Sequence, residues 1–547
     1  MRGTNLKVVA IAATAVIASF AVAGATASAK DHAALQRVAA NCNSKKIVVT
    51  YYSEPSVQDF QQFGTDGDND VRANLVETLL DRQTVAGKYP MTTFGLTGRY
   101  KARLASAWKL DSRKKTLTFT LRPGVRFSTG VPMTSTDVKF SFVRGMLDPA
   151  SYLGSLMKML TISKTGQITT PTNRTVVFKL TKFNPFTYDL MSIWASGITS
   201  QKAVKANATA KDPWANDWMK NHLVGTGPYV LSKAQPGVEY DFSPNTNYWN
   251  RPLAPCNGGV VVKVIPNASN RLVLLQRGSV DVARGLDYKD IPALEKTKGI
   301  NVLRYQSTDM RELALNVKQK PFDDVRVRRA IAYAIPYQQL LQTVWHGYAT
   351  QLKSIVPVGQ PTADPTTWPY QTDLAKAKAL LAQAGLSSGF STTLYTRAES
   401  QEDQQASVLI QESLAKIGVK VQIEKLLTAA YAAKQFGDRD MPMFFWNWIS
   451  FTNDPYYGFN FLVQTGQGTN YANYSNPTVD ALIQKGMYEP NSAKRATISR
   501  TIQKTVADDA FAIGLAQPDS IVALRSNVHG WMQYPDLNAR YYTLWKD

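Results

Sequence analysis

Fourteen consecutive residues, Phe444-Phe445-Trp446-Asn447-Trp448-Ile449-Ser450-Phe451-Thr452-Asn453-Asp454-Pro455-Tyr456-Tyr457, carry seven aromatic side chains, the strongest concentration of chemically useful groups in this chain. Phe444 and Phe445 read as a core strand. Asn453-Asp454-Pro455 is a turn signal, so Trp448 and the rings after it are expected on a loop. Rings with polar tips bury much area with few rotatable bonds, which suits them to hold a small molecule. Bond-making chemistry has no such focus. Neither an H-E-x-x-H pair nor a P-loop occurs. The four histidines, His32, His222, His346 and His529, lack a metal-ligand partner at helical spacing, and two cysteines do not make a zinc site. Gly225-Thr226-Gly227 runs straight into Pro228, so a tight turn is expected there and not a phosphate cradle. No catalytic residue, metal or cofactor is expected.

Such rings need a scaffold. Residues 116–121 alternate polar and apolar and read as a half-buried strand, closed by the Pro123-Gly124 turn. Thr134 with Asp137 three residues on is a capping-box start for a helix over 137–146. Strands are expected at 47–52 and within 225–266, and a hairpin at 166–180. A helix is expected over 71–80, with Val71, Leu75, Val76, Leu79 and Leu80 on one face, and a loop at 213–218. From Pro321 onward helices (325–334, 374–384, 407–417) alternate with strands (392–396, 419–423), the mark of an α/β lobe. Gly385 and Gly418 follow two of these helices as C-terminal caps.

The 547 residues suggest about three domains. Arg2 and Lys7, an apolar small-residue stretch over 8–25 and Ala27-Ser28-Ala29 form a signal peptide, residues 1–29, with cleavage before Lys30. No later stretch reaches the ~20 apolar residues of a membrane span, so the mature chain is expected in solution outside the cytoplasm. The net charge of +21 is spread without a polybasic run. With export, that argues for a solvated basic surface and against nucleic acid. Cys42 and Cys256 are an even count in an exported chain, open to a disulfide or to two buried thiols.

Six strings carry a resemblance. They are Leu104-Ala105-Ser106-Ala107-Trp108 with the strand, turn and capped helix after it; Gly225-Thr226-Gly227-Pro228-Tyr229 with Asn247-Tyr248-Trp249; Leu275-Gln276-Arg277-Gly278-Ser279-Val280-Asp281-Val282-Ala283; Pro321-Phe322-Asp323-Asp324-Val325-Arg326-Val327-Arg328-Arg329-Ala330; residues 375–386; and Tyr474-Ser475-Asn476-Pro477-Thr478-Val479-Asp480-Ala481-Leu482. In this order, over roughly residues 45–545, the chain resembles the family 5 extracytoplasmic solute-binding proteins, the peptide- and nickel-type receptors of ABC importers. The resemblance implies a two-lobed α/β periplasmic-binding-protein fold with a hinge. Lobe one would comprise 30–85, 222–310 and 520–547, with an extra subdomain, 86–221, inserted in it; lobe two would be 311–519. It implies a receptor that captures a peptide, a peptide-like or another small solute between the lobes and delivers it to an ABC permease complex, as a monomer and without a cofactor. A solute sensor or chaperone of the same fold, or a secreted hydrolase, are the alternative functions. Many such receptors carry a lipid on a cysteine at the cleavage site. Cys42 lies well past Ala29 and follows Asn41, so a freely diffusing periplasmic protein is expected, with secretion as the alternative. In the family the strands after Cys42 and Cys256 share one sheet, which favours the bridge.

The resemblance also places residues. Trp448, with Trp446 beside it, would wall the cleft. Peptide-binding members put an aspartate three residues after this tryptophan to grip an α-ammonium; here Phe451 stands there. Either Asp454 supplies the anion from the nearby turn, or the ligand has no α-amino group at that point. Tyr51, Ser53 and Glu54 would touch ligand from the first strand, Tyr152 from the inserted subdomain, and Met310, Arg311 and Asn316 from the lobe crossing. Asp324, Arg326 and Arg328 would be structural, and nickel finds no histidine in a matching segment.

Overall fold

The computed structural model describes residues 42–52, 59–62, 66–85, 91–92, 100–113, 115–534 and 536–547. The expected signal peptide, and Ser53 and Glu54, lie outside them. Two large sheets organise the chain. The first has seven strands in the spatial order Tyr229–Gln235, Glu239–Pro244, Val260–Val264, Ile47–Tyr51, Val282–Arg284, Ser520–Arg525 and Ile300–Tyr305. Its centre is parallel: Ile47 pairs with Val260, and Val49 with Val282. A parallel centre must be covered on both faces. Val71 and Leu75 pack on one face with Tyr229 and Tyr541, and Leu275, Val280 and Leu294 form a smaller core on the other.

The second sheet runs Ala349–Thr350, Ala512–Pro518, Asp309–Leu315, Met443–Ile449, Phe390–Arg397, Val419–Leu426. Ile331, Leu381 and Ile410, from three helices, pack on one face against Leu313 and Phe445. Ile483 and Ile502, from the helices Pro477–Met487 and Ser492–Asp509, pack on the other against Phe444 and Trp446. A third, antiparallel sheet of four strands, Ala105–Asp111, Thr116–Leu121, Thr175–Lys179 and Ile168–Thr172, stands apart from both. The architecture is therefore two α/β lobes with a separate antiparallel subdomain. The chain passes between the large sheets twice, after Tyr305 and after Pro518. The two crossings hold each other: Ser307 Oγ donates to Pro518 O at 2.6 Å, and Gln517 Nε2 donates to Ser307 O at 2.6 Å. Two short adjacent strands of this kind suit a hinge.

Local chemistry explains the boundaries. The Thr134 N–H donates to Asp137 Oδ2 at 2.9 Å, and the capped helix runs Ser135–Leu147. The helix expected over 71–80 is instead Asp66–Leu75. It stops where Gly225 and Gly227 press on its last carbonyls: a Cβ at Gly225 would lie 2.1 Å from Leu75 O, and the Gly227 N–H donates to Leu75 O at 3.0 Å. Close approach, rather than a turn, therefore requires these glycines. Leu79 and Leu80 enter the core of the inserted subdomain. The loop expected at 213–218 contains a short helix, Asn216–Met219. Gly385 and Gly418 sit at positive φ after their helices, as expected. Cys42 and Cys256 are bridged, with Cα atoms 4.4 Å apart, which decides against two thiols. Among the described residues no helix is long and apolar enough to cross a membrane.

Candidate functional site

The strand Met443–Ile449 pairs antiparallel with Asp309–Leu315 without a break, from Leu315 opposite Met443 to Asp309 opposite Ile449. Side chains alternate across a strand. Met310, Glu312, Ala314, Phe444, Trp446 and Trp448 therefore share one face. Burial is complete from Met443 to Trp446 and partial from Asn447 to Ile449, where the strand leaves the core. Trp448 is thus still a strand residue, opposite Met310, and not on the expected loop, because the pairing outlasts the run of buried side chains. Only after Ile449 does the chain turn, held by Ser450 Oγ donating to Thr452 O at 2.7 Å.

That turn meets the other lobe. Trp448 lies against Tyr457 and Phe461, with ring centres 5.7 and 6.3 Å away. Phe451 stands edge-on to Trp194 at 6.1 Å, and Trp194 in turn lies 5.5 Å from Tyr152. The Arg72 guanidinium sits 5.2 Å from the Trp194 ring centre. Polar bonds fix the same junction. Arg82 Nη2 donates to Phe451 O at 2.5 Å, and the Asn453 N–H donates to Asp189 Oδ2 at 2.7 Å. Burial pushes the Asp189 carboxyl up to about 6, against the pull of Arg82 and the Asn453 N–H.

Several polar groups here have no protein partner. Trp448 Nε1 and Thr452 Oγ1 are buried without one. Glu312, only 1% exposed, has a buried Oε2 with no hydrogen-bond partner. Burial alone raises its carboxyl to about 8. Buried polar atoms in native proteins are nearly always satisfied; these three, on one sheet face and its turn, make this a candidate site, although other such atoms, Trp531 Nε1 and Asn527 Oδ1 among them, lie elsewhere.

The expected residues divide. Met310, Trp448, Phe451 and Tyr152 come together at the junction. Trp446 is one step deeper, 1% exposed and 5.8 Å from Tyr471. Arg311 is on the opposite face of the sheet, where Nη2 pairs with Asp309 at 2.8 Å and Nε lies 3.7 Å from Glu402. Asn316 is at the far end of its strand, donating to Arg439 O at 3.0 Å and Met441 O at 3.2 Å. Asp454 accepts from the Tyr456 N–H at 2.9 Å as a helix cap and pairs with Arg495 at 2.8 Å, so its carboxylate is committed within lobe two. Tyr51 is buried in the first lobe, stacked on Tyr52 at 4.9 Å with Arg284 at 5.0 Å. Asp324 caps its helix and chelates Arg326 at 2.6 Å, while Arg328 donates to the backbone of Phe322 and Asp509.

Arg82, Asp189, Trp194 and Glu312 were not singled out by the sequence. For Glu312 a signal existed: it is the one polar residue on the face Met310, Glu312, Ala314 of a buried strand. For the other three there was none, since each meets its partner across hundreds of residues. The expectation that no nucleophile-elbow string occurs needs correction. Gly385-Leu386-Ser387-Ser388-Gly389 has the G-x-S-x-G spacing of a nucleophile elbow. It joins the helix Leu374–Gln383 to the strand Phe390–Arg397, the reverse of the strand-to-helix turn that an elbow needs, and Ser387 is exposed. Among the described residues no group of His, Cys, Asp and Glu could hold a metal ion.

Two hinged α/β lobes meeting at a ring-lined junction define a receptor that encloses a solute. The chain belongs to the bacterial extracellular solute-binding proteins, family 5, whose middle-region model matches residues 99–470. It is 30% identical over 439 residues to the probable D,D-dipeptide-binding periplasmic protein DdpA of Escherichia coli strain K12, covering 79% of this chain and 82% of that one. It is 28% identical over 465 residues to the glutathione-binding protein GsiB of Shigella flexneri, covering 83% and 88%. Its fold matches that of the ABC transporter-associated periplasmic binding protein DppA of Helicobacter pylori, solved with the peptide STSA, with TM-score 0.81 and 24% identity over 92% of this chain and 98% of that one.

Proposed function

We propose that this protein captures a peptide or peptide-like solute between its lobes and delivers it to the permease complex of an ABC importer. The observation that carries the reading is the junction itself: Tyr152 and Trp194 from the inserted segment meet Phe451 and, through Tyr457, Trp448 from the second sheet. Rings contributed from both sides enclose a ligand only when the lobes close, and closure desolvates it. The strands of the first sheet support lobe one as 30–85, 222–310 and 520–547, with the inserted subdomain as 86–221 and lobe two as 311–519, except at two edges: Leu80–Arg82 pairs with Tyr100–Ala102 of the insert, and Asp309 and Met310 already pair in the second sheet. The mature protein works as a monomer in the periplasm and makes or breaks no bond. Relatives named for a D,D-dipeptide and for glutathione support a small peptide as the solute class.

Native mass spectrometry of the purified protein is expected to show a retained small molecule of peptide mass, released on unfolding. Trp448→Ala is expected to weaken ligand binding by roughly 1–3 kcal/mol, the loss of one buried aromatic contact, while leaving the melting curve close to wild type. Calorimetry with unchanged affinity in that variant would remove Trp448 from the site. Amino-terminal sequencing of the exported protein is expected to begin at Lys30, without a lipid on Cys42; an uncleaved Met1 would contradict periplasmic release.

A further inference from the structure

Glu312 is a buried acid that the rest of the described protein leaves unanswered. It lies in the strand Asp309–Leu315, opposite Trp446 on one side and Gly514 on the other. It is 1% exposed, and its Oε2 is buried with no hydrogen-bond partner. Gly514 brings no side chain to that flank, and a Cβ there would lie 2.2 Å from Leu352 O, so the carboxyl is bounded on that side by backbone. On the other side it shares its face with Trp448, two residue pairs nearer the strand end, whose buried indole N–H also lacks a partner. The acids flanking the same junction are engaged: Asp454 with Arg495 and the Tyr456 N–H, Asp189 with the Asn453 N–H. An acid and a donor left unpaired on one sheet face, the donor in the ring cluster of the junction and the acid one step deeper, are complementary to something the protein does not itself contain. A buried carboxyl is best answered by a cation, and an N–H by an oxygen.

We propose that Glu312 is a specificity residue of the ligand site, taking up an ammonium group of the bound solute while Trp448 Nε1 donates to an oxygen of the same molecule. The ligand class is a small primary amine carrying a carbonyl, carboxyl or hydroxyl oxygen close to the ammonium. This deepens the receptor reading and rests on it.

The test uses the full mature chain and amine/N-acetyl probe pairs: D-alanyl-D-alanine and L-alanyl-L-leucine as peptides, glucosamine as a non-peptide, each beside its N-acetyl form. At least one free amine is expected to bind by calorimetry, with its N-acetyl partner weakened by about 10- to 100-fold, the range for one hydrogen bond to a charged group. Glu312→Gln, which keeps the shape and removes the charge, is expected to lose the same factor for the amine and little for the N-acetyl form. Wild-type probe pairs decide the matter even if that variant folds poorly. Binding of glucosamine without either dipeptide, lost in Glu312→Gln, would support Glu312 and overturn the peptide class. Dipeptides that bind equally well with and without the N-acetyl group, or as tightly to Glu312→Gln, would overturn the role of Glu312 and leave the receptor reading standing. Failure of every free amine to bind would overturn the role of Glu312 as well.

Discussion

Removing the Cys42–Cys256 bridge is expected to lower stability by about 5 kcal/mol. The two cysteines are 214 residues apart, and a cross-link over so long a loop withdraws much entropy from the unfolded chain. The bridge sits where several ends meet. The Cys256 N–H donates to Tyr542 O at 2.9 Å, and Asn43 Nδ2 donates to Lys546 O at 2.8 Å, so the C-terminal residues dock on the same corner of the first lobe. Denaturant titration of the native protein against a Cys42→Ser, Cys256→Ser double variant should show a clear drop in midpoint, with the slope rising as the unfolded state expands. Thiol titration of the unfolded, unreduced protein should find none. Two reactive thiols would rule out the bridge, and equal midpoints would show that the linkage does not hold the lobe.

The ligand-free protein is also expected to lose stability as the pH rises from about 4.5 towards about 8, because of Glu312. Burial raises this carboxyl from its ordinary 4.5 to about 8 in the folded state. Between those values the unfolded chain has released a proton that the folded chain still holds. Protons therefore favour the folded state, and the contribution present at low pH fades as the pH rises through about 8. At about 1.4 kcal/mol for each pH unit the ceiling is ~5 kcal/mol. Asp189, raised to about 6, acts in the same direction at the acid end of the range. Denaturation at pH 5, 6, 7 and 8 measures the slope. Glu312→Gln should remove most of it and raise stability at pH 8. A variant with the wild-type slope would show that Glu312 has a partner or titrates normally.

Much of the fold was legible because local rules and tertiary packing agreed. The Thr134 and Asp137 capping box, the glycines ending helices at Gly385 and Gly418, and the alternation of helices and strands after Pro321 read correctly, since each depends on neighbours within one or two turns, although the helix expected over 407–417 runs Gln401–Ala415 from its Ser400 cap. The helix at 71–80 misread because its apolar residues serve two cores: Val71 and Leu75 lie in the first lobe, Leu79 and Leu80 in the inserted subdomain. The glycine pair at 225–227 misread because the atoms it makes room for belong to a helix 150 residues earlier.

The site divides in the same way. The aromatic run at 444–457 pointed to lobe two's contribution, since rings crowd together in sequence there. By itself the sequence determined the α/β class, the expectation of an exported chain, the capped elements and the family. Only the tertiary structure decided that Trp448 stays in its strand opposite Met310, that Asp454 is committed to Arg495, and that Arg82, Asp189 and Trp194 receive the turn after it. It alone left Glu312 buried with no protein partner for Oε2. Those facts depend on which surfaces meet across 41 to 369 residues of chain, and pairings at such separations follow from packing, which no short window of sequence contains.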